Sequence, residues 1–274
     1  MKIALLSDIH GNLPAFKATL SQIEGMGISH IIILGDLISD FYQYTHEIIH
    51  LVQNTTAYVI RGNREGYMID RSNHPNDTTW EQYRHFSENL RTFQELTDED
   101  IDYIKHLPHA LSLDFGKGFS LKAVHGSPFS EFDLIYPDKE SLIQRSLDAI
   151  SENVLLCGHT HTAFHKKIDS KIILNPGSVG INFEQDESAQ FAVITYLNQE
   201  IFIEHKKAKY DYHAFKKSCD QENPWVHLIL KSMEDGTNHT IRFVEEAKNR
   251  WGIFPIPNEY YETLFDEWCK QGVL

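Results

Sequence analysis

The chain has 274 residues, 41% of them hydrophobic and 23% charged, which is enough to bury a sizeable core in one or two domains. A formal charge of −14 excludes broad adhesion to nucleic-acid backbones or anionic membranes, and no apolar run approaches the roughly 18–20 residues of a membrane span. Cys157, Cys219 and Cys269 are scattered without a CxxC pair, which suits a reducing cytosol, so the expected location is cytoplasmic.

The N-terminal "MKIALLSDIHGN" lacks a small-residue cleavage site and reads as a first strand rather than a signal peptide. Three short apolar runs, "KIALLSD" (2–8), "HIIILGD" (30–36) and "AYVIRGN" (57–63), alternate with helix-like segments. Leu13, Phe16, Leu20 and Ile23 fall at helical spacing, as do Ile48, Ile49 and Val52 within 44–54. Continuous apolar strands alternating with amphipathic helices predict right-handed βαβ units and a parallel sheet covered on both faces.

Residues 64–108 are expected to be mainly helical, with 66–80 read as a surface loop and 79–95 as a helix. In "LTDEDIDYIKHLP" (96–108), Thr97 can cap a helix with Asp100 at the third position, and Leu96 and Ile101 can staple it. Pro108 ends it. From 109 the pattern is strand-rich: "HALSLDF", a "GKG" turn, "FSLKAVHG", then short strands at 153–158, 162–168, 171–175, 189–197 and 200–206, with a helix near 138–150. These predict a second, mixed sheet. Residues 208–274, with Trp225, Trp251 and Trp268, read as a helical addition. The fold class is α/β (α+β): two mixed sheets packed as a sandwich and flanked by helices.

Several apolar runs end in metal-binding residue types. Asp8 and His10 follow the first strand, Asp36 the second, Asn63 the third, His125 a later one, and His159 and His161 another. Ligands in α/β sheets gather at such carboxyl ends. Two carboxylates, one amide and four imidazoles, with no thiolate needed, suit Mn, Fe or Zn. Seven side chains are too many for one tetrahedral site, but two ions sharing Asp36 would use them all. Two divalent ions outweigh two carboxylates and a bridging hydroxide, so the centre would be net positive and would suit a phosphate.

In this order, "DIH", "GD", "GN", "VHG" and "GHTH" resemble the calcineurin-like metallophosphoesterases. "SDIHGN" and "NPGSVG" (175–180) are similar to the compact bacterial branch of that family, which includes phosphodiesterases and diadenosine polyphosphate hydrolases. The resemblance covers about residues 1–206, with a domain expected over 1–207. It implies one metal on Asp8, His10, Asp36 and His161, and another on Asp36, Asn63, His125 and His159. It also implies a dinuclear hydrolase in which a bridging hydroxide attacks phosphorus.

Many family members follow "GN" with His, whereas this chain has "GNRE". Arg64 is a poor proton donor but can clamp a phosphate bidentately. Weak general-acid help favours leaving groups that depart as weak bases. The expected substrate is therefore small and nucleotide-like, a phosphodiester or an anhydride such as a dinucleoside polyphosphate; the alternatives are a serine/threonine phosphoprotein phosphatase and a non-catalytic scaffold of the same fold. No membrane or stable nucleic-acid partner is expected. Asp36, Asn63 and Arg64 are the expected catalytic residues, and Arg64, Asn12 and Tyr67 the expected substrate contacts. Asn12 could instead cap the following helix, Arg64 and Glu65 could pair with each other at the surface, and Trp80 is a further candidate for stacking on a base.

Overall fold

The structure, a computed structural model, describes residues 1–274. Its first half alternates β1 (Lys2–Leu6), α1 (Leu13–Gly25), β2 (His30–Ile33), α2 (Thr45–Gln53) and β3 (Ala57–Val59), with β1, β2 and β3 paired in parallel. The continuous apolar character of these strands has a simple cause. Successive side chains point to opposite faces, and both faces are covered. Ile3 and Leu5 enter the core between the two sheets, while Ala4 and Leu6 pack with Phe16, Ile48 and Ile49 of the helices.

Four helices follow: α3 (Asn63–Asn73), α4 (Thr79–Gln82), α5 (Ser87–Glu95) and α6 (Asp98–His106). The cap of α6 is as expected: Thr97 N donates to Asp100 Oδ2 at 2.9 Å and Asp100 N to Thr97 Oγ1 at 3.1 Å. Two local expectations are corrected. Residues 66–73 continue helix α3 instead of forming a loop, and 79–95 is broken by a 3-10 turn at Arg84–Phe86. Trp80 packs edge-on against Phe93, with centroids 6.2 Å apart, and against the core, and it does not line the cavity described below.

The remaining elements of the sandwich are β4 (Ala110–Asp114), β5 (Ser120–Val124), α7 (Glu140–Asp148), β6 (Val154–Leu156), β7 (Phe164–Ile168), β8 (Lys171–Asn175), β9 (Ser188–Leu197) and β10 (Glu200–Lys209). The second sheet has the order β4-β5-β6-β8-β7 and is mixed. The β9–β10 hairpin, expected there, joins the first sheet instead, giving β10-β9-β1-β2-β3. It pairs antiparallel with β1, burying Ile194 in the core between the sheets and Val193 under the helices. Both sheets are therefore mixed and five-stranded.

The chain closes with α8 (Tyr212–Ser218), α9 (Pro224–Asp235), α10 (His239–Trp251) and α11 (Asn258–Lys270). Tyr212, Phe215, Val226 and Ile229 pack against Phe41 and Ile181 of the sandwich. A separate small core of Phe243, Tyr261, Leu264 and Trp268 joins α10 to α11. No helix is long and apolar enough to cross a membrane. Leu156 is fully buried between the sheets. Leu156→Ala should cost about 2–5 kcal/mol, read as a lower denaturant midpoint at unchanged slope.

Candidate metal centre

The chain turns sharply where the strands end. Asp8, His10, Asp36, His159 and His161 all have left-handed backbones, with φ of 57°, 48°, 51°, 65° and 56°. Such conformations cost non-glycine residues of order 1–3 kcal/mol each and persist only where the surroundings enforce them. Here neighbouring loops enforce them. Ile9 N and His10 N both donate to Asp36 O, at 2.7 and 3.0 Å. Ser178 Oγ and Gly180 N donate to Asp8 O, and Asn175 Nδ2 holds Gly158 O and Thr160 Oγ1. The "NPGSVG" turn thus ties the first ligand loop to the "GHTH" loop. Glycine is required beside the ligands: a Cβ at Gly62 would collide with Asp36 Oδ1, and one at Gly158 with Ser7 Oγ.

These turns bring all seven candidate metal ligands to one edge. Asp8, His10 and His161 form one group with ligand atoms within 4.8 Å of each other, and Asp36, His125 and His159 form a second. Asn63 Oδ1 joins the second group, 3.1 Å from His125 Nε2. Asp36 touches both: its Oδ2 lies 3.6 Å from His10 Nε2 and 3.3 Å from His125 Nε2. Two donors each about 2.1 Å from one ion and at a right angle lie about 3 Å apart, so the spacing fits cations.

The far side of each imidazole fixes its near side. His125 Nδ1 lies 2.7 Å from Leu34 O and His161 Nδ1 2.9 Å from Ile181 O. A carbonyl only accepts, so each Nδ1 carries a proton and Nε2 faces inward, able to give its lone pair to a cation once it holds no proton of its own. His161 Nε2 then faces His10 Nε2 at 3.0 Å. Only a proton or a metal cation can lie between them. Asp8 Oδ1 points into the same space, buried and without a hydrogen-bond partner, while Asp8 Oδ2 accepts from His159 N.

The electrostatics agree. Burial opposes charge on His10, but Asp40 and Asp8 raise its pKa to about 9; burial likewise opposes charge on His125, but Asp36 raises it to about 10. Burial pushes Asp36 up, yet His125 and His10 hold it well below the carboxylate range. His159, lowered to about 4 by burial and by His125, is a neutral donor.

Two residues outside the sequence-based set organise the site. Glu65, fully buried, accepts from Gly62 N at 2.7 Å, Asp36 N at 2.9 Å and Leu37 N at 2.8 Å, clamping the "GD" and "GN" loops together. Asp40 Oδ2 lies 2.9 Å from both His10 Nδ1 and Arg64 Nη2, and Asp40 Oδ1 accepts from Trp225 Nε1 at 3.3 Å. Arg64 and Glu65 therefore do not pair with each other. A signal for Glu65 lay in "GNRE", whose acid falls three residues after a helix cap; Asp40 had no motif to mark it.

In front of the two ligand groups lies a cavity of about 450 Å³, lined by His10, Asp36, Asn63 and Arg64 among others. Tyr67 lines it as well; Asn12 does not. Asn12 Oδ1 caps α1 through Ala15 N, and its Nδ2 is shared between Gly180 O and Tyr210 Oη. That leaves Asn12 a structural residue. Cys157 is buried in the core behind the second sheet.

Residues 1–199 match the family model of the calcineurin-like phosphoesterase superfamily domain. An uncharacterized protein of Methanocaldococcus jannaschii is 25% identical over 248 residues, spanning 82% of this chain and 95% of its own. Among solved structures, a hypothetical protein of Pyrococcus horikoshii matches with a TM-score of 0.73 at 24% identity, covering 86% of this chain and 98% of its own. A metallophosphoesterase of Sphaerobacter thermophilus matches with a TM-score of 0.69 at 22% identity, covering 86% and 100%. Both structures share the fold.

Two outcomes follow from the local chemistry. Asp40→Asn removes the anion behind His10 and should weaken metal binding about 10–100-fold, measured by competition with a chelator while circular dichroism stays unchanged. His10 and His125 hold protons below about pH 9 and 10, and a ligating imidazole must release them. Metal uptake should therefore tighten as pH rises from 7 to 9 and release protons, seen as buffer-dependent heats in titration calorimetry.

Proposed function

This chain belongs to the calcineurin-like phosphoesterase superfamily, and we propose that it hydrolyses small phosphodiesters or phosphoanhydrides carrying a nucleotide-like group, with dinucleoside polyphosphates as the specific class to test first. The observation that carries this reading is one cavity bounded by both donor groups and by Arg64. In the proposed assignment Asp8, His10, Asp36 and His161 hold one ion, and Asp36, Asn63, His125 and His159 the other. Mn or Fe suits this mixed nitrogen and oxygen set, with Zn a third choice. When bound, such a pair supplies Lewis acidity and an activated water for attack on phosphorus.

The chain's own residues do the rest. Asp36 orients both halves of the site through contacts with His10 and His125, and its Oδ1 accepts from Arg64 N at 2.8 Å. That bond fixes the start of α3 and so directs Arg64 and Tyr67 toward the cavity. The Arg64 guanidinium rests on Asp40 with its Nε unpartnered. It keeps donors for a non-bridging phosphate oxygen, where a planar fork binds two acceptors at once. As Arg64 stays protonated, it stabilises charge without passing a proton, which favours nucleotide phosphates and aryl oxides as leaving groups over alkoxides.

The test is a substrate panel run on metal-stripped protein with Mn, Fe or Zn added back. An aryl phosphodiester and a dinucleoside polyphosphate should turn over, a simple alkyl monoester and a phosphopeptide poorly, and Asp36→Asn should abolish turnover and lower metal content. Fast alkyl monoester hydrolysis would overturn the leaving-group argument. Preference for the phosphopeptide would make the protein a phosphoprotein phosphatase. A metal-loaded but inert protein would make it a binding module.

A further inference from the structure

We propose that the C-terminal extension completes the substrate pocket as a specificity wall, a subsite for one aromatic ring, nucleobase or aryl, attached to the phosphate. This rests on the phosphoesterase reading above and adds what the organic part of the substrate must be.

The cavity is not built by the sandwich alone. Alongside Tyr67, Phe132 and Tyr136 of the sandwich, its lining includes Trp225 and Ile229 from α9 and Ile241 from α10. Its volume of about 450 Å³ falls within the range of roughly 300–1,000 Å³ of small-molecule sites. Such a space takes the scissile phosphate with one ring system, the rest of a larger nucleotide lying outside it, rather than an extended peptide. Apolar and aromatic side chains make up much of the lining; one set of polar groups lies at the metal-ligand end, and a second, Asn238, Thr240 and Lys248, comes from the extension itself. Such a lining suits a molecule with an anionic head and a flat ring that carries polar groups on its edge.

Two further observations support an aromatic occupant. Phe132 lies 51% exposed at the cavity and Leu134 38% exposed beside it, apolar area left in water that a bound ring would cover. Tyr67 and Phe132 sit with ring centroids 6.0 Å apart and planes tilted by 33°, a neighbouring pair of π faces of the kind bases stack on in a sequence-tolerant way. The wall is also tied to the chemistry. Trp225 donates its Nε1–H to Asp40, the carboxylate that holds Arg64 and lies against His10. The extension therefore reaches the phosphate-binding end through one side chain and the ring-binding end through Ile241.

The experiment compares Mn-loaded protein binding adenosine 5′-monophosphate, ribose 5-phosphate and inorganic phosphate by calorimetry, so that only the ring changes between the first two. The nucleotide should bind at least about tenfold tighter than the sugar phosphate. Ile241→Ala should shrink that ratio about threefold or more, and Ile241→Leu should restore it, with melting temperatures confirming folded protein. If Ile241→Ala does not fold, Phe132→Ala, at an exposed position, makes the same cut. Equal affinity for nucleotide and sugar phosphate, or a variant that weakens both alike, overturns the ring subsite while leaving a phosphoesterase intact. Failure of all three ligands to bind, together with an inert panel, removes the phosphoesterase reading itself.

Discussion

Buried like charges must be neutralised, and the organisation of this sheet edge follows from that constraint. Asp8, Asp36 and Asp40 are all withdrawn from water, and two imidazole nitrogens face each other at 3.0 Å. Burying an uncompensated carboxylate costs several kcal/mol, and no arrangement of neutral side chains would relieve three of them. Arg64 answers Asp40, and protons on His10 and His125 answer the rest in the absence of metal. Cations answer them better, because the inward-facing Nε2 atoms, once they release those protons, and the unpartnered Asp8 Oδ1 point at one space.

The same constraint explains the backbone. Five ligands sit in a conformation that a free chain rarely visits, so the fold must hold them there. It does so with hydrogen bonds drawn from distant segments. The "NPGSVG" turn braces the Asp8 loop, and the Glu65 carboxylate gathers three N–H groups from two other loops. Glu65 touches no candidate ligand atom, yet it ties the Asp36 and Asn63 loops together through their backbone N–H groups, alongside the bond from Arg64 N to Asp36 Oδ1. Burial and the nearby Asp36 raise its pKa, and the backbone donors work against that shift.

Much of this was legible in the sequence, because strand ends are where periodicity stops and chemistry begins. The seven ligand types stood at the ends of apolar runs, and a parallel βαβ start was written in continuous Ile, Leu and Val. What stayed hidden depended on distance in space. Nothing in "SAQFAVITYL" says that β9 pairs with β1 rather than with the strands just before it. Helix α3 was missed because its cap is the metal-ligand loop itself and its residues are mostly polar. Asp40 has no periodic or motif signature; it becomes notable only when His10, Arg64 and Trp225 converge on it. The extension likewise reads only as a helical addition, and only the tertiary fold turns two of its helices toward the cavity.

An acidic protein that handles anions raises an apparent contradiction, and the pocket resolves it. The charge of −14 acts over the surface, where salt screens interactions beyond about 8–10 Å. Inside the cavity the balance reverses once two divalent ions are held, since they and Arg64 outweigh Asp8, Asp36 and Asp40. The wall from α9 and α10 would strengthen that reversal, since it adds Lys248 to the lining and its apolar side chains confine the field with little loss to water. In the proposed reading, binding an organic ring and concentrating positive charge would be served by the same wall. On that reading a helical addition, joined to the site through Trp225 and Asp40, would govern both what enters the site and how firmly its phosphate is held.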